Sequence, residues 1–211
     1  MPTAYTVKQG DHLSRIADQF GFSDYRVIWD YAGNADLKAQ RKNPHVLFPG
    51  DSVIIPDKEQ RVEDCGTDQR HTFQVEKQNL TLRIVVKDFD DLPVKNTDCE
   101  LQIDDATYKL KTDGDGKIVK DISRTAMNGT LRIPELSIEM PILIGHLDPT
   151  AEDTGWQGRL ANLGYNPGET GQADGDQLRS AIEEFQCDYK LPVTGELDAA
   201  TKAKLEQIHG C

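Results

Sequence analysis

The sequence predicts a multi-domain α+β chain: a small βααβ unit, then a small antiparallel β-sandwich, then a three-helix bundle. Three observations predict it. Residues 4–56 read strand, helix, irregular middle, strand. Residues 71–148 carry short apolar runs of period two, separated by turn residues. Residues 149–211 carry three apolar stripes of helical period. The expected boundaries are 1–58, a linker at 59–70, then 71–148 and 149–211.

In the first unit Tyr5-Thr6-Val7 is β-rich and runs into the turn pair Gln9-Gly10. Asp11 is the expected N-cap of the helix that follows, because its carboxylate can accept the free N–H groups of the first turn. Leu13, Ile16, Ala17 and Phe20 fall at i, i+3, i+4 and i+7, one face of a helix. Gly21 stops it in the manner of a left-handed C-terminal cap. Pro49-Gly50-Asp51 is a turn, and Ser52 to Ile55 a short strand closed by Pro56.

Those residues, with Gly10-Asp11-His12-Leu13, Asn43-Pro44 and Leu47 to Asp51, resemble the LysM domain. The resemblance implies a βααβ fold that binds glycans containing N-acetylglucosamine, such as peptidoglycan or chitin, in a shallow groove. Carried over, one side of the groove is Gly10, Asp11, His12 and Leu13, and the other is Pro44, His45, Val46 and Leu47. Trp29 and Tyr31 either stack on a sugar face or close the small core. His12 and His45 either hydrogen bond to an acetamido group or are plain surface histidines. The chain departs from the family between Phe22 and Asn43, where a longer insertion lies beside the expected groove.

The stretch from Asp57 to Arg70 is polar and reads as a linker. Beyond it, the expected strands centre on Phe73-Val75, Leu80 to Val86, Leu101-Ile103 and Leu131-Ile133. Turns are expected at Asp90 to Pro93 and at Asp113-Gly114-Asp115-Gly116, the latter as a hairpin turn rather than a calcium loop, since Lys117 stands where an oxygen ligand is needed. Leu82 to Asp88, Leu92-Pro93-Val94 and Thr112 to Gly116 are similar to immunoglobulin-like, carboxypeptidase-regulatory-type repeats, which implies a spacer or docking fold.

In the last unit Trp156, Leu160 and Leu163 form one stripe, ended by Gly164. Leu178, Ile182, Phe185 and Tyr189 form a second. Asp198 is the expected N-cap of a third helix running through Leu205 and Ile208. Phe185-Gln186 followed by Leu191-Pro192-Val193-Thr194-Gly195 resembles the signature of the three-helix peptidoglycan-binding domain, which implies a second cell-wall-binding module.

The 211 residues are 37% hydrophobic with a net charge of −12. Charge is balanced in residues 1–58, and residues 59–148 and 149–211 each carry a net −6. Such a chain is repelled by nucleic acid and by anionic lipid or wall polymers, so neither nucleic acid nor membrane is an expected partner. A neutral sugar needs no basic patch. The cysteines, Cys65, Cys99, Cys187 and Cys211, have no metal-binding spacing; they pair as 65–99 and 187–211 or remain thiols. No metal or other cofactor is expected.

The expectation is a non-catalytic binder of peptidoglycan or a chitin-like glycan. His209-Gly210-Cys211 also occurs at L,D-transpeptidase active sites, but no catalytic unit surrounds it, and no hydrolase motif supports a cell-wall hydrolase. The first strand begins at residue 4 or 5, which leaves no room for a secretory leader. Expected, therefore, is a protein made in the cytoplasm that acts at the cell wall, in the periplasm or within a secretion machine. The stretch from Ile28 to Asp51 is similar to LysM variants of contractile injection and type VI secretion loci. That likeness implies the alternative: an adaptor whose modules dock spike or effector proteins.

Overall fold

A computed structural model of the chain describes residues 1–58, 64, 66–72, 78–88, 92–171 and 175–210. In the N-terminal unit β1 (Thr3–Thr6) pairs antiparallel with β2 (Ser52–Ile55), with Tyr5 opposite Val53. Between them lie α1 (Leu13–Gln19), α2 (Arg26–Trp29), a 3-10 turn over Ala32–Asn34 and α3 (Ala35–Arg41). The insertion therefore adds helix to the expected βααβ order. The apolar stripe of α1 enters one core: Leu13, Ile16 and Ala17 pack with Val7, Ile28, Leu47 and Val53, while Phe20 sits at the margin.

Two local predictions meet different fates. Gly21 has φ +72°. Its N–H donates to the Asp18 carbonyl and that of Phe22 to the Ala17 carbonyl, the paired bonds of a Schellman ending. The N-cap, by contrast, is His12 and not Asp11. The Arg15 N–H donates to His12 Nδ1 at 3.4 Å. Asp11 is drawn the other way, accepting from the Tyr5 hydroxyl at 2.7 Å and the Lys8 N–H at 2.9 Å. Buried Asn34 anchors the insertion by donating to the Ile28 and Ile54 carbonyls and accepting from the Ile54 N–H, each at 2.7 Å.

The middle residues build two antiparallel sheets. One pairs β3 (Leu80–Val85) with β6 (Lys117–Ile122). The other runs in the order β5 (Ala106–Lys111), β4 (Asp98–Ile103), β7 (Asn128–Ile133), β8 (Ile138–Leu143). Leu101, Ile103, Leu131 and Ile133 from one sheet share a core with Ile118 and Ile122 from the other. The Asp113 to Gly116 turn is not a hairpin turn, because β5 and β6 belong to different sheets. It is a crossover, tightened by Asp113, whose Oδ1 accepts from the N–H groups of Asp115 and Lys117. The strand expected at Phe73-Val75 and the Asp90-Asp91 pair lie outside the described residues, as do Cys65 and Cys211. Cys99, buried, and Cys187, exposed, are thiols.

The last unit is helical: α4 (Asp153–Asn162), α5 (Gly175–Asp188) and α6 (Ala199–His209). Trp156, Leu160, Ile182, Phe185 and Leu205 form its core, whereas Ile208 faces solvent. Gly164, at φ +98°, ends α4 with the same bond pattern as Gly21, and the Asp198 carboxylate accepts from the Thr201 N–H at 2.8 Å, as expected of an N-cap. The fully buried Gln186 gives the Phe185-Gln186 signature a physical meaning. Its amide nitrogen faces Thr194, the Glu196 carbonyl and Thr201, and its oxygen accepts from the Thr194 and Gly195 N–H groups. One side chain thus fixes the whole turn into α6.

Candidate functional site

The two sides of the expected LysM groove are brought together. The turn at Gly10, φ +85°, leads into α1 and carries Asp11, His12 and Leu13. Pro44 to Leu47 come from the loop between α3 and β2. The Leu13 N–H donates to the Pro44 carbonyl at 3.0 Å, so a backbone hydrogen bond joins the sides directly. All four residues of the first side are buried. On the second side Pro44 and His45 are half-buried, and Val46 and Leu47 are buried.

Three histidines gather there. His12 is 1% exposed, and its ring lies 6.0 Å from that of His45, which meets Tyr25 at 4.8 Å. Burial, helped by His45, pushes the His12 pKa down to about 4, and burial also lowers that of His45. Neutral His12 accepts on Nδ1, which puts its proton on Nε2, and that nitrogen has no partner among the described residues. His45 Nδ1 is likewise buried without a partner. An unmet buried donor or acceptor costs roughly 1–3 kcal/mol, so these nitrogens are stored capacity for polar contact. Asp11 has the Arg15 guanidinium at 3.8 Å, and burial plus the bond to Asp11 pushes the Tyr5 hydroxyl up to about 12.

The third histidine, His146, belongs to the segment that covers the site. After β8 the chain returns to the N-terminal unit, and Gly145-His146 lies as a strap over Gly10. A methyl group on Gly145 would stand 2.6 Å from the Gly10 carbonyl oxygen and 3.2 Å from His12 Cδ2, and one on Gly10 would stand 3.1 Å from His146 Nε2. Gln9 Nε2 reaches His146 Nδ1 at 3.5 Å. The Gly10 to His12 side of the expected groove thus lies under a strap from the same chain. Trp29, 7% exposed, lies in the core with Lys38 Nζ 5.9 Å from its ring centre, and half-buried Tyr31 packs against Gly33.

Two further side chains tie the units together, and residue patterning gave no sign of either. Arg124, buried, donates to the Phe22 and Ser23 carbonyls just past α1 at 3.0 and 2.9 Å, and pairs with Asp18. Arg41 holds Asp51 with two bonds of 2.8 Å and reaches Glu152, at the start of α4, at 3.1 Å. A lone Arg, in a turn or at a helix end, carries no sequence signal of a partner a hundred residues away.

Among the described residues no group of three or more His, Cys, Asp or Glu side chains is arranged to hold a metal ion, and no helix is long and apolar enough to cross a membrane. No curated protein and no solved structure matches the chain. Two family models do. The LysM domain model matches residues 5–29, ending at Trp29, ahead of α3 and β2. The model of PG_binding_1, a peptidoglycan binding domain, matches residues 156–205, nearly the whole helical unit. The chain carries a LysM domain and a peptidoglycan binding domain, and both families support peptidoglycan binding.

Proposed function

We propose that this protein binds peptidoglycan without cutting it. The observation that carries the reading is the presence of two modules from cell-wall-binding families on one chain. Each contributes modest affinity, and linkage raises the whole by making the second contact intramolecular. The test is co-sedimentation of the full chain with purified insoluble peptidoglycan, with the supernatant assayed for released sugar and peptide. Sedimentation without release is the expected result. Folded protein that stays in the supernatant, or soluble fragments that accumulate, overturns it.

One observation favours a second reading. The Gly10 to Leu13 side of the groove is covered by Gly145-His146, as suits a module turned to protein docking. On this reading the chain is an adaptor of a contractile injection or type VI secretion machine. It predicts co-purification with a spike or effector protein and no sedimentation with peptidoglycan.

A further inference from the structure

We propose that the cleft between the N-terminal unit and the C-terminal helices is a second ligand site, one that takes a short zwitterionic peptide rather than a sugar. The proposal rests on the cell-wall reading, because peptidoglycan carries short peptides with free carboxylate and ammonium groups beside its glycan strands.

The cleft measures about 320 Å³, at the low end of the roughly 300–1,000 Å³ typical of small-ligand sites. That admits a short peptide and not a long strand. Lys42 and Asn43 line it from the N-terminal unit, and Thr150 and Glu206 from the C-terminal one, with buried Val46 and Pro149 supplying apolar surface.

The charges single out the ligand class. Lys42 and Glu206 are exposed, opposite in sign, on different units, and neither has an ion-pair partner among the described residues. Arg41 and Arg159, which also line the cleft, are committed to its construction. Arg41 bridges Asp51 and Glu152 and so holds the two units in register. Arg159, 1% exposed, donates to the Asp148 and Gly155 carbonyls. The frame is thus fixed, and the two charges left over form a dipole that complements a peptide with one carboxylate and one ammonium. An uncharged sugar hydroxyl hydrogen bonds to either group but supplies no opposite charge to pair with it.

The backbone agrees. Lys42 has φ 59° and ψ −36°, and the Asn43 N–H donates back to the Arg41 carbonyl at 2.6 Å. This is a three-residue turn of the rare, strained positive-φ kind. Nothing in the chemistry of lysine favours it, and a glycine would adopt it freely. Strain of this sort persists where surrounding contacts over-determine it, and it clusters at binding sites. Here Arg41, clamped on both sides, holds the turn and presents Lys42 at the cleft.

The experiment uses the full chain and isothermal titration with three probes: the sugar-free stem peptide of the cell wall, the same peptide acetylated and amidated, and a chitin oligosaccharide. Lys42→Gln and Glu206→Gln both alter exposed, unpaired side chains and leave the fold intact. The free peptide is expected to bind, each substitution to weaken it about tenfold, the capped peptide to lose binding, and the oligosaccharide to ignore both changes. A free peptide that fails to bind, or binds the double variant as tightly as the parent, overturns the proposal. Sedimentation on whole peptidoglycan separates the two failures. If the parent sediments while its peptide binding ignores both substitutions, the cleft assignment alone falls. If the peptide binds as described while the parent stays in solution, the cell-wall reading alone falls.

Discussion

Replacing Gly145 with alanine tests whether the strap closes the LysM groove. Gly145 has φ +77°, and an L-residue there costs roughly 1–2 kcal/mol. The new methyl would also lie 2.6 Å from the Gly10 carbonyl oxygen and 3.0 Å from its carbon, both backbone atoms that cannot rotate away. Overpacking of this kind costs about 1–3 kcal/mol. Together the strain approaches 2–5 kcal/mol, against a strap held at Gln9 by one long contact of 3.5 Å. The cheaper escape is for the strap to lift, so the loss of stability is capped at the strap's own contact energy. The three cores need not unfold together, so the readout is local: amide exchange at Gly10 to Leu13 in the full chain. Exchange there is expected to quicken while the amides of α5 and α6 stay protected, and chitin oligosaccharide affinity is expected to rise. Unchanged exchange at Gly10 to Leu13 would refute the reasoning.

Three other changes follow from the same geometry. Gln186→Leu strands the Thr194 and Gly195 N–H groups and the Thr201 hydroxyl and is expected to cost about 3 kcal/mol, seen by circular dichroism as helix loss at a lower temperature. Arg124→Met keeps the apolar stem but removes the ion pair to Asp18 and the bonds to the Phe22 and Ser23 carbonyls; a loss of roughly 2–4 kcal/mol in urea unfolding is expected. For His12, burial lowers the folded pKa to about 4, so below about pH 6.5 the unfolded chain binds a proton that the folded chain refuses. Its stabilising effect is full above pH 6.5 and falls as pH drops toward 4, by about 3 kcal/mol, and His12→Asn, which keeps an N-cap, is expected to flatten that slope in thermal melts at pH 7.5 and 4.5.

What the sequence discloses here is what is local. Gly21 and Gly164 announce helix ends because a left-handed residue is needed within one turn of the last apolar position. Asp198 announces a helix start because its carboxylate accepts a free N–H of the first turn, that of Thr201. Asp11 misleads by one residue because Tyr5 and Lys8 compete for its carboxylate. Strand β5 is hidden because Lys109 and Lys111 leave only Tyr108 and Leu110 facing the core. Strand β8 is hidden by Pro141, tolerable only because β8 lies at a sheet edge. The Asp113 to Gly116 turn has hairpin chemistry, but sheet membership is decided by distant partners. The meeting of Gly10 to Leu13 with Pro44 to Leu47 was expected from the LysM resemblance, yet the strap over Gly10 was not: Gln9 and His146 are 137 positions apart, and no periodicity encodes such a meeting.

The strap and the cleft share one segment, and that sharing has a thermodynamic consequence. Gly145-His146 lie over Gly10 in the expected glycan groove, and Pro149, Thr150 and Ala151, a few residues on, line the cleft. On the glycan-binding reading, a sugar that enters between Gly10 to Leu13 and Pro44 to Leu47 has to displace Gly145 from Gly10. A peptide in the cleft holds residues 149–151 between α3 and α6 and so resists that displacement. The two ligands then oppose each other, and the coupling is reciprocal: each lowers the affinity of the other by the same factor. Titrating a chitin oligosaccharide into the full chain, with and without saturating stem peptide, measures that factor. A drop of about fivefold or more, the low end of common coupling energies, is expected in the parent protein. In Gly145→Ala the strap is already raised, so the drop should shrink toward none. Equal sugar affinity with and without peptide in the parent would mean that the segment bends freely between His146 and Pro149, and that groove and cleft act as independent sites.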